Sequence, residues 1–136
     1  MRFMVLVKAN KDSEAGILPT REQLTEMGKF NEQLVKDGVM LAGEGLQASS
    51  KGARLRFDGG RTTVTDGPFA ETKELLAGFW IVQGKSKEEV ISRFMSAPFD
   101  RGEELEIRQI FEVEDFGDNL PDDVREQEER LRNTVK

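Results

Sequence analysis

The chain opens with Arg2-Phe3-Met4-Val5-Leu6-Val7-Lys8, a nearly continuous apolar and β-branched run. Such a run is typical of a central strand that is covered on both faces. A second run of the same character is Gly78-Phe79-Trp80-Ile81-Val82-Gln83. Because each run is apolar on both sides, each predicts a strand that packs under helices on one face and under another cover on the opposite face.

A stretch with the spacing of an amphipathic helix follows each of these strands. Thr20 and Gln23 form a capping-box pattern, and an apolar repeat then continues until Gly38 ends the helix. Ser86 and Glu89 repeat the capping pattern before a second, shorter helix. The residues that we expect these helices to bury are Leu24, Met27, Phe30 or Asn31, Leu34, Val35, Val90, Ile91, Phe94 and Met95.

The remaining predicted elements are a β-hairpin in the middle of the chain and one further strand after each helix. Residues 54–57 and 61–65 alternate in character around Asp58-Gly59-Gly60, which predicts a β-hairpin. Residues 39–42 predict a second strand, and residues 105–113 predict a half-exposed final strand. The order β-α-β, hairpin, β-α-β describes a ferredoxin-like α+β fold with helices on one side of an antiparallel sheet.

The face of that sheet opposite the helices needs a cover. A second copy, packed face to face about a two-fold axis, is the economical solution, so we expect a homodimer. From Glu112 the sequence becomes acidic, and Pro121 starts a charged helix that runs to Lys136. We therefore divide the chain into a ferredoxin-like domain, residues 1–113, and an acidic C-terminal helical extension, residues 114–136, which lies on the domain surface or against the second subunit.

Composition limits the possible functions. The chain has 136 residues, enough for one domain, and its 20 basic and 26 acidic side chains give a net charge of −6. This negative charge disfavours a nucleic-acid partner, and the first apolar run is too short for a signal peptide or a membrane span. We therefore expect a cytoplasmic protein that binds neither nucleic acid nor membrane.

The absent residue types exclude several kinds of chemistry. The chain has no Cys, no His and no Tyr. Thiolate nucleophiles, His-based catalysis and Cys/His zinc sites are therefore excluded. We predict no metal and no other cofactor, so that any chemistry must come from the remaining polar side chains.

A specific motif follows the hairpin. Residues 66–79 read Asp66-Gly67-Pro68-Phe69-Ala70-Glu71-Thr72-Lys73-Glu74-Leu75-Leu76-Ala77-Gly78-Phe79 and resemble the signature of the YCII-related family, specifically its DGPF branch. The resemblance extends to Lys8, to Gly43-Glu44-Gly45-Leu46 and to Glu106-Ile107-Arg108. It implies the dimeric α/β-barrel version of the ferredoxin-like fold.

The resemblance also bears on activity. Some relatives carry a His-Asp pair suspected of catalysis, a few act on chlorinated or hydroxylated aromatic compounds, and others are associated with alternative sigma factors. Because this chain has no His, such a dyad cannot operate in it.

Asp66 and Glu44 are the candidate catalytic residues. A carboxylate beside a Gly-Pro turn at a strand end can face a cleft, where partial burial would make Asp66 a usable general acid or base. Alternatively, Asp66 bonds the backbone N–H groups of its own turn. Glu44 lies between two glycines that permit close approach of a ligand, or it is a solvated residue at a β-bulge.

Three residues are candidates for substrate binding. Lys73 and Lys8 can hold a carboxylate, although most lysines in so charged a chain are solvated. Phe69 can pack against a substrate ring. The alternative for Phe69, as for Phe79 and Trp80, is a place in the core or the dimer interface.

These residues support two hypotheses of different classes. The first is a cofactor-independent small-molecule enzyme, with isomerase- or lyase-like acid–base chemistry on an acidic or aromatic metabolite, in which Asp66 moves the proton. The second is a non-catalytic dimeric module that binds a ligand or takes part in a regulatory complex. In the second case the acidic C-terminal helix would supply a recognition surface or reinforce the dimer.

Overall fold

A computed structural model of the chain describes residues 1–71 and 74–135. The elements are β1 (Arg2–Lys8), α1 (Lys11–Glu14), α2 (Arg21–Lys36), β2 (Met40–Gly45), β3 (Ala53–Asp58), β4 (Arg61–Asp66), β5 (Leu76–Gln83), α3 (Lys87–Phe94), β6 (Leu105–Gln109) and α4 (Asp122–Thr134). Short 3-10 helices lie at Ser49–Lys51 and Val113–Asn119.

The main sheet has four strands in the order β2-β5-β1-β6, and all neighbours are antiparallel. The chain forms two β-α-β units, β1-α2-β2 and β5-α3-β6. In the sheet, β5 lies between β1 and β2, and β1 lies between β5 and β6. This interlocked arrangement is the ferredoxin-like α+β fold. The predicted fold class is therefore confirmed, and the predicted hairpin is present as the separate two-stranded sheet β3-β4.

Cross-strand pairing assigns the sheet residues to two faces. One face packs under α2 and α3, and we name it the proximal face. Its rows are Met40–Val82–Phe3, Gly43–Trp80–Val5–Ile107 and Gly45–Gly78–Val7–Leu105. The buried core on this face consists of Phe3, Val5, Trp80 and Val82 from the strands and Leu34, Val90 and Phe94 from the helices.

The opposite face, which we name the distal face, carries the other set of side chains. Its rows are Ala42–Ile81–Met4–Arg108 and Glu44–Phe79–Leu6–Glu106. The four central side chains of these rows are apolar and half-buried, whereas Glu44 and Arg108 at the two edges are exposed. Both central strands are therefore apolar on both faces, as the sequence predicted.

The short helix α1 lies in the polar segment, residues 10–16, between β1 and α2. Asn10 Oδ1 accepts a 2.8 Å hydrogen bond from Ser13 N, and Ser13 Oγ accepts a 2.9 Å bond from Asn10 N. This reciprocal cap satisfies the first N–H groups of a single helical turn.

Two predicted apolar segments end earlier than expected. Strand β6 stops at Gln109, so Phe111 is exposed and Val113 belongs to a 3-10 helix rather than to the strand. Helix α3 stops at Phe94, so Met95 becomes its C-terminal cap and remains exposed. Ile91, Leu24 and Val35 are also more exposed than their helical spacing predicted.

Candidate functional site

The turn that follows β4 packs tightly on the 3-10 helix at Ser49. A Cβ added to Gly67 would lie 1.8 Å from the carbonyl oxygen of Ser49, so the backbones can approach this closely only with glycine at that position. Gly67 N donates to Gly52 O at 3.0 Å, and Phe69 N donates to Ser49 Oγ at 3.0 Å. The turn is therefore anchored through residues 49–52.

Ser49 is joined in turn to Glu14 at the end of α1. Its Oγ and its backbone N donate to the two carboxylate oxygens of Glu14, at 2.5 and 2.9 Å. Both bonds lower the pKa of Glu14 below its usual value of 4.5, and the bond from the hydroxyl has the larger effect. A continuous set of hydrogen bonds thus connects α1 to the turn at residues 66–69.

A cleft of about 1260 Å³ opens between α2 and the proximal face of the sheet. Gly45 and Gly78 form part of its floor, and a Cβ added to Gly45 would have no neighbour within 4 Å. The apolar lining of the cleft includes Val7, Ile17, Leu18, Leu24, Met27, Trp80 and Phe99. Leu24 is exposed because it faces this opening rather than the closed core.

Trp80 and Asn31 form a polar pair at the cleft. The indole Nε1 of Trp80 donates a 2.9 Å hydrogen bond to Asn31 Oδ1. Because an indole N–H can only donate, the Asn31 oxygen must face Trp80, which leaves the two Nδ2 hydrogens for another acceptor. Among the described residues, Asn31 Nδ2 makes no hydrogen bond. The cleft therefore offers the edge of an otherwise buried indole beside an amide donor.

Charged side chains surround the cleft. Lys51 and Arg101 border it, and neither forms an ion pair within residues 1–71 and 74–135. Five carboxylates also line the cleft. Glu14 accepts bonds from Ser49, Asp100 Oδ2 accepts a 3.1 Å bond from Gln23 Nε2, and the other three belong to Asp12, Glu44 and Glu103. The lining is thus acidic overall, and Lys51 and Arg101 are its two cations that form no ion pair among the described residues.

A smaller groove of about 550 Å³ lies on the other side of residues 46–51. Phe69 lines it, and the Arg54 guanidinium carbon lies 3.9 Å from the centre of the Phe69 ring. Arg54 Nη1 also pairs with Glu71 Oε2 at 3.3 Å. The segment 46–51 therefore separates the groove from the large cleft.

Residues 1–114 match the family described as the YCII-related domain. The chain belongs to the YCII-related family. Membership in the DGPF branch stays a prediction.

One curated protein and one solved structure are similar to this YCII-related chain. An uncharacterised protein of Rhizobium meliloti (strain 1021) is 34% identical over 68 residues, which are 50% of this chain and 55% of that protein. The chain thus spans about half the length of that curated relative. A solved structure of 5-chloro-2-hydroxyhydroquinone dehydrochlorinase (TftG) from Burkholderia phenoliruptrix AC1100, in complex with 2,5-dihydroxybenzoquinone, is 17% identical with a TM-score of 0.41, covering 85% of this chain and 98% of that one.

The structure separates the residues that the sequence suggested for a site in this YCII-related protein. Asp66 is exposed at the end of β4, pairs with Ala53 and lines neither cavity. Glu44 and Lys8 border the large cleft, but both lie on the distal side of their strands, and Lys8 Nζ pairs with Glu106 Oε1 at 3.3 Å. Catalytic roles for Asp66 and Glu44 therefore stay predictions.

The two other candidates lie elsewhere. Phe69 lines the small groove instead of the cleft, and Lys73 lies outside the described residues. Trp80 is a core residue, as the alternative interpretation had it, and it also borders the cleft.

Asn31 and the pair Glu14–Ser49 are the site features that sequence reasoning missed. Asn31 did carry a signal, since it interrupts an apolar helical repeat four residues after Met27 and three before Leu34. Glu14 and Ser49 are 35 residues apart, and no local pattern relates them.

Within residues 1–71 and 74–135, no group of three or more acidic side chains is arranged to hold a metal ion. In the same part of the chain, no helix combines the length and the apolar character needed to cross a membrane.

Proposed function

We propose that this YCII-related protein binds a small planar organic acid in the large cleft between α2 and the sheet. The hydrogen-bonded pair of Trp80 and Asn31 carries this proposal. Trp80 presents an aromatic edge to the cleft, and Asn31 Nδ2 is positioned to donate to a ligand oxygen. Lys51 and Arg101 at the rim are the side chains that would pair with a carboxylate or phenolate group of the ligand.

Ligand binding accounts for these contacts more directly than acid–base catalysis does. The hydrogen bonds from Ser49 hold the pKa of Glu14 low, which makes that carboxylate a weak general base. Asp66 lines neither cavity, and Glu44 lies on the distal side of β2. The enzymatic hypothesis therefore becomes the alternative, and it is distinguished by turnover of a bound compound.

Trp80 fluorescence reports on ligand binding at the cleft, because Trp80 is the one tryptophan in the chain and the chain has no tyrosine. We would titrate the protein with benzoate and hydroxybenzoates and follow Trp80 fluorescence. Binding should change the emission. Asn31→Asp removes the amide donor and adds a negative charge, so it should weaken binding at least about tenfold, equivalent to roughly 1.4 kcal/mol.

The matched control is Asn133→Asp, which makes the same change on the exposed surface of α4. It should leave the affinity unchanged. Equal affinities in the wild type and Asn31→Asp would contradict this site. Consumption of the bound acid over time, followed by chromatography, would support the enzymatic alternative instead.

We also propose that the protein is a homodimer in which the distal faces of two copies pack together. Met4, Leu6, Phe79 and Ile81 form a continuous apolar area in two adjacent rows, with charged residues at both edges. An apolar centre with a charged rim is the usual anatomy of an isologous interface.

Sedimentation velocity tests the dimer. The wild type should sediment as a dimer, and Phe79→Glu should dissociate it because each charge would be buried at the interface. Val35→Glu places the same charge at an exposed position on α2 and should leave the dimer intact. A wild-type protein that stays monomeric at all concentrations would contradict the proposal.

A further inference from the structure

The large cleft is elongated along α2. Gln23 and Asn31 both line it from this helix, and Leu24 and Met27 line it between them. Because an α-helix rises about 1.5 Å per residue, positions 23 and 31 are about 12 Å apart along the helix axis. The cleft therefore has two distinct ends. We name the end at Asn31 and Trp80 the amide end.

The opposite end contains Arg101. Asp100 Oδ2 accepts the 3.1 Å hydrogen bond from Gln23 Nε2, which ties the turn at residues 100–103 to the start of α2. The same turn leads to Glu104, whose carbonyl oxygen accepts a 3.0 Å bond from Lys8 N at the end of β1. Arg101 is exposed on this turn and lines the cleft.

Lys51 lies at the same end as Arg101. Ser49, two residues before it, donates two hydrogen bonds to Glu14 of α1, and α1 directly follows the end of β1. Lys51 is exposed and also lines the cleft. We name this end, with Lys51 and Arg101, the cationic end.

The sheet gives the same separation between the two ends. Trp80, which bonds Asn31, pairs with Val5 on β1. The bond between Lys8 and Glu104 lies three residues further along β1. Because a strand rises about 3.3 Å per residue, these positions are about 10 Å apart. The helix and the sheet thus agree that the amide donor and the cations are well separated.

The middle of the cleft is lined by apolar side chains and by glycine. Leu24 and Met27 line it from α2, and Val7, Gly45 and Gly78 line it from one row of the sheet. Leu24 is 58% exposed in this opening, so an apolar part of a ligand would remove it from water. The cleft therefore presents a donor, an apolar stretch and two cations in that order.

We infer that the ligand is an aromatic acid in which a short carbon chain separates the carboxylate from a hydroxylated ring. The inference rests on the proposed ligand-binding function. The ring oxygen accepts a hydrogen bond from Asn31 Nδ2, the ring and chain lie beside Leu24 and Met27, and the carboxylate meets the cationic end. A benzoate, in which the ring alone joins the polar groups, is too short to occupy both ends.

Acidic side chains at the cationic end make a positively charged ligand the main alternative. The carboxylates that line the cleft there are those of Asp12, Glu14, Asp100 and Glu103. The last three already accept hydrogen bonds from N–H or O–H groups of the protein. Lys51 and Arg101 form no ion pair within residues 1–71 and 74–135, so a ligand carboxylate would give both a partner.

Isothermal titration calorimetry with a series of phenolic acids tests the inference. The probes are para-hydroxybenzoate, para-hydroxyphenylacetate, para-hydroxyphenylpropionate and para-hydroxyphenylbutyrate, which differ only in the length of the chain. The affinity should rise along the series, and the propionate or the butyrate should bind at least about tenfold more tightly than para-hydroxybenzoate. The gain comes from the buried methylene groups and from the charge-assisted bonds at the cationic end.

Removal of both cations should remove most of this gain. The full-length double variant Lys51→Gln, Arg101→Gln should bind the propionate at least about tenfold more weakly than the wild type, and para-hydroxybenzoate less than about threefold more weakly. The matched control is Lys87→Gln, Arg130→Gln, which removes the same charge at exposed positions on α3 and α4. It should bind the whole series as the wild type does.

Three results would overturn the inference. Equal affinities along the series, each weakened by Asn31→Asp, would overturn it and leave the proposed binding site standing. Tighter binding of para-hydroxyphenylethylamine than of the propionate would overturn it in favour of a cationic ligand. Failure of every acid in the series to bind would overturn both the inference and the proposed function.

Discussion

Glu14 accepts two hydrogen bonds from Ser49, one from its backbone N at 2.9 Å and one from its hydroxyl at 2.5 Å. The same hydroxyl accepts a bond from Phe69 N at 3.0 Å. Because Glu14 lies at the cleft and Phe69 lies in the turn after β4, Ser49 connects the two. The conspicuous turn sequence thus contributes to the cleft by anchoring its wall, without lining it.

Ser49→Ala should loosen this connection. The variant loses the acceptor for Phe69 N and the hydroxyl donor to Glu14, while the backbone bond to Glu14 remains. Loss of the neutral hydrogen bond from Phe69 N, about 1 kcal/mol, should lower the melting temperature by roughly 3–5 °C in a domain of this size, and loss of the hydroxyl bond to the charged Glu14 should lower it further. Ser50→Ala is the control, because Ser50 is exposed and its hydroxyl makes no hydrogen bond among the described residues. Equal melting temperatures for the two variants would refute the role of Ser49.

The stability that Glu14 provides should depend on pH. Its folded-state pKa is lowered by the bonds from Ser49, so its contribution is present above the usual value of 4.5 and is lost as pH falls through the lowered pKa. The difference in melting temperature between the wild type and Glu14→Gln should therefore be constant near neutral pH and disappear in acid. Thermal scans between about pH 7 and pH 3 measure it, with the exposed Glu129→Gln as the control. A difference that grows in acid would contradict this sign.

Asp66→Asn and Gly67→Ala should behave very differently although they are neighbours. Asp66 is exposed and its side chain makes no hydrogen bond among the described residues, so the substitution should change the free energy of unfolding by less than about 0.5 kcal/mol. Gly67→Ala forces a Cβ onto the Ser49 carbonyl and should cost at least about 3 kcal/mol. Urea denaturation measures both values. A large loss in Asp66→Asn would instead favour the interpretation that its carboxylate braces the turn.

The sequence determined the fold because its signals were local and periodic. The apolar runs of β1 and β5, the cap at Thr20 and the turn Asp58-Gly59-Gly60 each act within a few residues, and their order implies the interlocked sheet. The errors lie at element ends. Phe111 and Met95 keep the apolar character of the segments before them, but the strand and the helix stop first.

The site was harder to predict because its contacts join distant residues. The Asp-Gly-Pro-Phe turn suggested a carboxylate in a pocket, whereas the tight packing of Gly67 on Ser49 directs Asp66 to the surface. Trp80 and Asn31 are 49 residues apart and meet only when α2 packs on β5. Side chains that meet through tertiary packing leave no fixed spacing in a single sequence.

Gly45→Ala should weaken ligand binding without weakening the fold. Gly45 lies on the cleft floor in the same row as Gly78, and an added methyl group would meet no atom within 4 Å, so it would occupy space that the ligand needs. Titration with the aromatic acid that the wild type binds most tightly, followed by Trp80 fluorescence, should show an affinity reduced at least about tenfold with an unchanged melting temperature. Gly28→Ala on exposed α2 also has no neighbour within 4 Å, and it should raise stability by about 0.5–1 kcal/mol and leave binding unaffected. If Gly45→Ala bound the acid as well as Gly28→Ala does, the ligand could not lie over this part of the floor.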